Sequence, residues 1–159
     1  MEKDKLLERI KLGLTEADAT ISIAESVTSG RIQQLLSQAG EAMQFYQGGL
    51  TAYNLNQKVR LLRVDEQTAA RCNCVSEETA VEMALGIAAL FSSDYGLAIT
   101  GYATPVPEMN IHQPFAYLAI VHHSTVLRVL KMESRSTEID PSQEFYAIET
   151  LKNLASVLI

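Results

Sequence analysis

Ile21-Ser22-Ile23-Ala24-Glu25-Ser26-Val27-Thr28-Ser29-Gly30 begins with alternating apolar residues and ends in small hydroxylated residues and a glycine. Arg31-Ile32-Gln33-Gln34-Leu35-Leu36-Ser37-Gln38-Ala39-Gly40 follows, with Ile32, Leu35, Leu36 and Ala39 at helical spacing and Gly40 as a stop. The stretch therefore reads as buried strand, tight turn, helix. A turn of this kind sets free backbone N–H groups and the positive end of a helix dipole beside any side chain held there. Two readings of Ser26 follow. It is an ordinary helix-capping hydroxyl, or it is a nucleophile whose oxyanion donors are already in place.

Working outward, residues 4 to 15 carry Leu6, Leu7, Ile10 and Leu14 on one helical face with charges opposite, which predicts a surface helix packed on the core. Downstream, Glu41 to Gln47 is a connector, and Gly48 to Tyr53 reads as a short strand approached through glycines. Asn54 with Gln57 forms a capping box that opens a helix running to about Leu62. Tyr53 at a strand end and Lys58 one turn into that helix are thereby expected at the sheet edge where Ser26 lies. Asp65 to Arg71 predicts a short helical turn. Ser76 caps a helix over 76–92 whose stripe is Ala80, Met83, Ala84, Ile87, Leu90 and Phe91.

Gly96 to Gly101 is a buried strand ending in Thr100-Gly101, followed by a loop from Tyr102 to Pro114 with three prolines. Phe115 to Val121 and Thr125 to Met132 pair as an antiparallel hairpin. Asp140 at the cap and Pro141 at the first position start the last helix, with Phe145, Ile148, Leu151, Ala155 and Leu158 expected on its buried face. The sum is an α/β fold: one three-layer α/β/α domain over 1–159, with a mixed sheet of about five strands and helices on both faces.

Composition excludes several classes. With 159 residues and 47% hydrophobic content, the chain can bury one sizeable core. No apolar run approaches the ~20 residues of a membrane span, and the charged N-terminus lacks a signal-peptide core, so a cytoplasmic location is expected. The net charge of −6 argues against nucleic acid or an anionic membrane as partner. Cys72 and Cys74 read as unpaired thiols near a turn. His112, His122 and His123 form no metal-ligand spacing and read as loop residues.

Four segments resemble the CinA C-terminal domain family, the nicotinamide-nucleotide amidohydrolases. Ala24-Glu25-Ser26-Val27-Thr28-Ser29-Gly30 is similar to that family's A-E-S-C-T-G-G, and Gly48-Gly49-Leu50-Thr51-Ala52-Tyr53-Asn54-Leu55-Asn56-Gln57-Lys58 to its G-x-V-T-Y-S-N-x-x-K. Val75-Ser76-Glu77-Glu78-Thr79-Ala80-Val81-Glu82-Met83-Ala84 follows V-S-E-E-x-A-x-x-M-A, and Ile99-Thr100-Gly101-Tyr102-Ala103-Thr104-Pro105 stands where the family has I-T-G-I-A-G-P. The resemblance implies hydrolysis of the carboxamide of nicotinamide mononucleotide to the acid and ammonia, without metal or cofactor. It implies Ser26 as nucleophile supported by Tyr53 and Lys58, with Thr28, Ser29, Gly30, Glu25, Thr100 and Gly101 around the oxyanion and substrate. It also suggests a homo-oligomer, acting on a small nucleotide substrate. Family members are often fused behind a larger domain; this chain, starting directly with the C-terminal unit, is expected to stand alone.

The chemistry is coherent in itself. A serine needs a base, and no histidine is placed to serve. A lysine serves if burial lowers its pKa; Lys58 is expected to activate Ser26 directly or through Tyr53. Glu25 is expected either to orient Lys58 or a substrate hydroxyl, or to be structural. The departures lie elsewhere. The family's A-G-P-G-G-G run is absent, and Ala103-Thr104-Pro105-Val106-Pro107-Glu108 replaces it. Prolines lack the N–H groups of a phosphate cradle, and Glu108 adds a like charge. Val27 and Ser29 replace a family cysteine and glycine, and Arg135 lacks the family's following arginine. Three readings stay open: an amidohydrolase for the mononucleotide, one for a substrate without phosphate, or a catalytically inactive binding or assembly module.

Overall fold

The two faces of one central strand set the architecture. In the computed structural model, which describes residues 2–158, β1 (Ile21–Glu25) is buried at every position. It lies between parallel neighbours β2 (Tyr46–Thr51) and β3 (Tyr95–Gly101). Strands buried on both faces are covered by helices on both sides. The five-stranded sheet has the order β2-β1-β3-β4-β5. β4 (Phe115–His122) and β5 (Thr125–Glu133) complete it antiparallel.

One sheet face is large and the other small, following the period of two along each strand. Ile21, Ile23, Leu97, Ile99, Leu118 and Ile120 pack under α1 (Glu2–Glu16), α2 (Arg31–Leu36) and α6 (Ile139–Val157). On the opposite face Ala24, Ala98 and Ala119 meet α3 (Leu55–Leu62), α4 (Glu66–Arg71) and α5 (Glu77–Phe91). The small side chains let α5 come close. A Cβ at Gly96 would stand 2.1 Å from the Ala84 carbonyl oxygen. Ser22 belongs to this face too, and its hydroxyl donates to the Ile87 carbonyl at 3.1 Å. Two predicted caps are in place: Asn54 and Ser76 side chains accept from the Gln57 and Thr79 amides, and Asp65, read only as the start of a helical turn, also caps by accepting from the Thr68 amide.

Several expectations are corrected. α2 ends at Leu36, not near Gly40, because the Gln38 and Ala39 amides turn back with i→i−3 bonds to the Leu35 and Leu36 carbonyls and Ser37 Oγ donates to the Gln34 carbonyl. β2 begins at Tyr46 and stops at Thr51, so Tyr53 lies outside the strand. α6 starts two residues early, with Glu138 as its N-cap. Pro141 is tolerated there because first-turn amides have no intrahelical acceptor, and the Asp140 carboxylate pairs with Arg31 at 2.5 Å instead of capping. The buried face of α6 is rotated accordingly. Tyr146 is fully buried while Phe145 is 36% exposed. On α5 the stripe frays at its end, where Leu90 is exposed. His122 is not a loop residue: it ends β4 and stacks on Tyr95, ring centroids 4.3 Å apart. The loop after β3 is partly ordered by a short 3-10 turn (Pro107–Met109) closed by a Val106–Ile111 bridge. Among the described residues no helix is long and apolar enough to cross a membrane.

Candidate active site

The chain leaves β1 for α2 on one face, then returns from β2 to β3 through α3, α4 and α5 on the other. Open α/β sheets form a crevice where the direction of winding reverses, at the carboxyl ends of the strands. Ser26 follows the end of β1 directly, and Thr100 and Gly101 end β3. A cavity of about 370 Å³ lies here, with Ser26, Tyr53, Lys58, Thr100 and Gly101 in its wall.

Ser26 and Lys58 are in contact. Lys58 Nζ donates to Ser26 Oγ at 2.9 Å and to the Ala52 carbonyl at 2.9 Å. Lys58 is 2% exposed. The Asn54 cap fixes the start of α3, which puts Lys58 one turn in and pointing at the crevice. Burial lowers the Lys58 pKa from the ordinary lysine value, with only the nearby Cys74 sulfur opposing. Burial likewise pushes the Cys74 thiol up, against the opposing pull of the Lys58 charge. Both cysteines are free thiols.

Glu25 has a different role from one facing the substrate. Its carboxylate is fully buried. One oxygen accepts from Thr28 Oγ1 at 2.5 Å and the Ile32 amide at 3.0 Å; the other accepts from the Gln33 amide and Gln33 Nε2, both at 2.9 Å. Glu25 thus caps α2 from inside the protein, seven residues upstream, and makes no bond to Lys58. The positive end of α2 is neutralised by this carboxylate.

Consequently the donors expected at Thr28, Ser29 and Gly30 are differently disposed. These residues line a separate surface concavity with Arg31, Gln34 and Gln143. The Ser29 amide donates to the Ser26 carbonyl and the Arg31 amide to the Thr28 carbonyl. Ser29 and Gly30 take the left-handed conformation, φ 50° and 98°, that bends the turn away. Val27, the residue after the serine, does line the Ser26 cavity. Tyr53 lines it too but is 64% exposed, and Lys58 reaches Ser26 directly, not through it. Thr100 Oγ1 donates to the Cys74 carbonyl at 2.7 Å, which ties β3 to the turn before α5. Gly101 serves packing: a Cβ there would meet Ala116 at 2.5 Å.

Sequence reasoning missed Cys74 and Asn73 as wall residues, together with Tyr102, Val106 and Ile139. The C-x-C spacing offered no signal for Cys74, whose placement comes from its left-handed φ of 63° after α4. The Ala52 carbonyl is backbone and leaves no mark in a sequence. Among the described residues no three His, Cys, Asp or Glu side chains converge as a metal site would need.

The family model described as the CinA C-terminal domain matches residues 3–155. A CinA-like protein of Kosmotoga olearia is 31% identical over 161 aligned residues, covering 98% of this chain and 39% of that protein. A CinA-like protein of Synechocystis is 36% identical over 104 residues, 65% of this chain and 25% of that one. The chain therefore spans a quarter to two-fifths of the length of these curated relatives. The crystal structure of a competence or damage-inducible protein from Enterobacter asburiae superposes with a TM-score of 0.91 at 26% identity, covering 99% of this chain and 98% of that one.

Proposed function

The chain belongs to the CinA C-terminal domain family, and from that premise we propose that it hydrolyses the primary carboxamide of an N-glycosylated nicotinamide, with Ser26 as nucleophile and Lys58 as its base. The resemblance implies nicotinamide mononucleotide as the substrate. One observation carries the reading: a buried lysine amine 2.9 Å from a serine hydroxyl in the wall of the crevice.

In its neutral form Lys58 donates to the Ala52 carbonyl and turns its lone pair to Ser26. It takes the Ser26 proton as Oγ bonds to the amide carbon. Lys58 then returns that proton to the nitrogen, the C–N bond breaks and ammonia leaves. Water attacks the resulting acyl ester, giving a proton to Lys58. The ester bond breaks, Ser26 recovers its proton, and the carboxylic acid departs. A positioned base of this kind contributes roughly 10²–10⁴-fold. The oxyanion forms beside the Val27 amide, since the residue after a nucleophile at a strand-to-helix turn is placed to donate there. Neutralisation of α2 by Glu25 leaves that single amide with little help from the helix dipole. The same feature favours a second reading, a module that binds the nucleotide without cleaving it.

The test is ammonia release from nicotinamide mononucleotide by the chain, Ser26→Ala and Lys58→Ala. Release lost in both variants supports the amidohydrolase. Equal release from all three overturns it, and calorimetric binding without release identifies the binding module.

A further inference from the structure

We propose that Asn73 sets the size of molecule the crevice admits, by holding the Tyr102 side chain across its rim.

Asn73 stands in the turn between α4 and α5, where the Val75 amide donates to the Cys72 carbonyl at 3.0 Å. The two central residues of that turn, Asn73 and Cys74, have φ 53° and 63°. Asparagine enters the left-handed region more readily than most residues. Both residues reach the cavity wall, Cys74 buried and Asn73 exposed.

This turn is tied to β3 and the loop after it at two heights. At the base, Thr100 Oγ1 donates to the Cys74 carbonyl at 2.7 Å, buried from water. At the rim, Asn73 Nδ2 donates to the Tyr102 hydroxyl at 3.4 Å and to Met109 Sδ at 3.8 Å, both in exposed positions. The base tie is short and dry, and the rim ties are long and wet. Water replaces an exposed hydrogen bond at little cost, so the rim opens while the base holds.

The rest of Tyr102 is already fixed. Its amide donates to the Phe115 carbonyl at 2.9 Å, and its carbonyl accepts from the Tyr146 hydroxyl at 2.9 Å. Its ring meets Phe115 edge-on, with centroids 5.4 Å apart. Among the described residues Asn73 is the one hydrogen-bond partner of the Tyr102 hydroxyl. The cavity behind holds about 370 Å³, near the small end for ligand pockets. The width of its mouth therefore decides which molecules reach Ser26 and Lys58.

Cys74 supplies the reporter, because it lies in the same wall and is the chain's one remaining thiol in Cys72→Ser. Its thiol adds across the double bond of a maleimide: the S–C bond forms, the proton passes to the neighbouring carbon, and nothing leaves. In the Cys72→Ser background, mass spectrometry follows labelling by maleimide and by the bulkier N-benzylmaleimide. The variants are Asn73→Gly, which keeps the left-handed turn, Tyr102→Phe, which keeps the ring, and the two combined. Loss of one hydrogen bond corresponds to roughly two- to tenfold. Each single change is expected to speed N-benzylmaleimide by about three- to tenfold and to leave maleimide within about twofold, and the combination to do no more than the faster single change. Equal acceleration of both reagents overturns the size filter, since general loosening would produce it. Absence of acceleration in the single variants, or effects that multiply in the combination, overturns the Asn73–Tyr102 contact as its cause. No turnover enters this readout, so its failure leaves the Ser26–Lys58 reading standing, and failure of the ammonia assay leaves the rim assignment standing.

Discussion

Replacing Glu25 by Gln tests the internal cap of α2. The change keeps shape and volume but puts an NH₂ where one carboxylate oxygen was. If it replaces the oxygen that serves Gln33, the Gln33 side chain can flip to compensate, but the Gln33 amide is orphaned. If it replaces the other, the Thr28 hydroxyl can rotate, but the Ile32 amide is orphaned. Either way one buried backbone donor loses its acceptor, at about 1–3 kcal/mol. Loss of the charge beside the helix N-terminus adds about 1 kcal/mol. The sum is about 2–4 kcal/mol, which for a domain of this size lowers the melting temperature by roughly 6–12 °C. Thermal unfolding followed by circular dichroism reads it directly. A melting temperature within about 2 °C of the parent would refute the assignment of Glu25 as the principal cap.

Three other outcomes follow from the same geometry. Because the Lys58 pKa is lowered on folding, the unfolded chain binds the extra proton between the folded and unfolded values. The Lys58 contribution to stability therefore rises with pH across that window, while the raised Cys74, Tyr46 and Tyr146 groups contribute the opposite slope, so denaturant midpoints of Lys58→Met fall more, or rise less, than those of the parent from about pH 7 to about pH 10; activity in the parent rises with pH through the same lowered pKa as the base loses its proton. Gly86→Ala puts a Cβ 2.1 Å from the Leu62 carbonyl oxygen where α5 crosses α3, and urea unfolding should show a loss of about 2–3 kcal/mol despite the better helix former. Tyr53→Phe should cost less than about threefold in kcat/KM, since Lys58 reaches Ser26 without it, whereas a loss of about 100-fold would place the Tyr53 hydroxyl in the proton path.

The element order was legible because periodicity and caps agree along most of the chain. Asn54, Asp65 and Ser76 each announce a helix and each accepts the bond a cap should. The meeting of Ser26 and Lys58 was legible from motif and topology together: a serine after one parallel strand, a lysine one turn into the helix after its neighbour. Glu25 was not, because a carboxylate shows its charge in a sequence but not which amides it will face seven and eight residues on. The rotation of α6 was hidden for a related reason. Phe145 and Tyr146 are adjacent aromatics, and either fits an apolar stripe; Tyr146 goes inside because its hydroxyl finds the Tyr102 carbonyl at 2.9 Å.

The order of the strands also bears on how the molecule forms. β1 sits between β2 and β3, and its partners in β3 lie some seventy residues downstream, Ile21 opposite Tyr95. Such pairing must close a long loop before it is rewarded, and topologies of this kind fold slowly. The crevice opens between the ends of β1 and β3, so its wall is complete only once that closure has happened. On refolding from denaturant, ammonia release should return with the slowest phase, after the helical signal has already recovered.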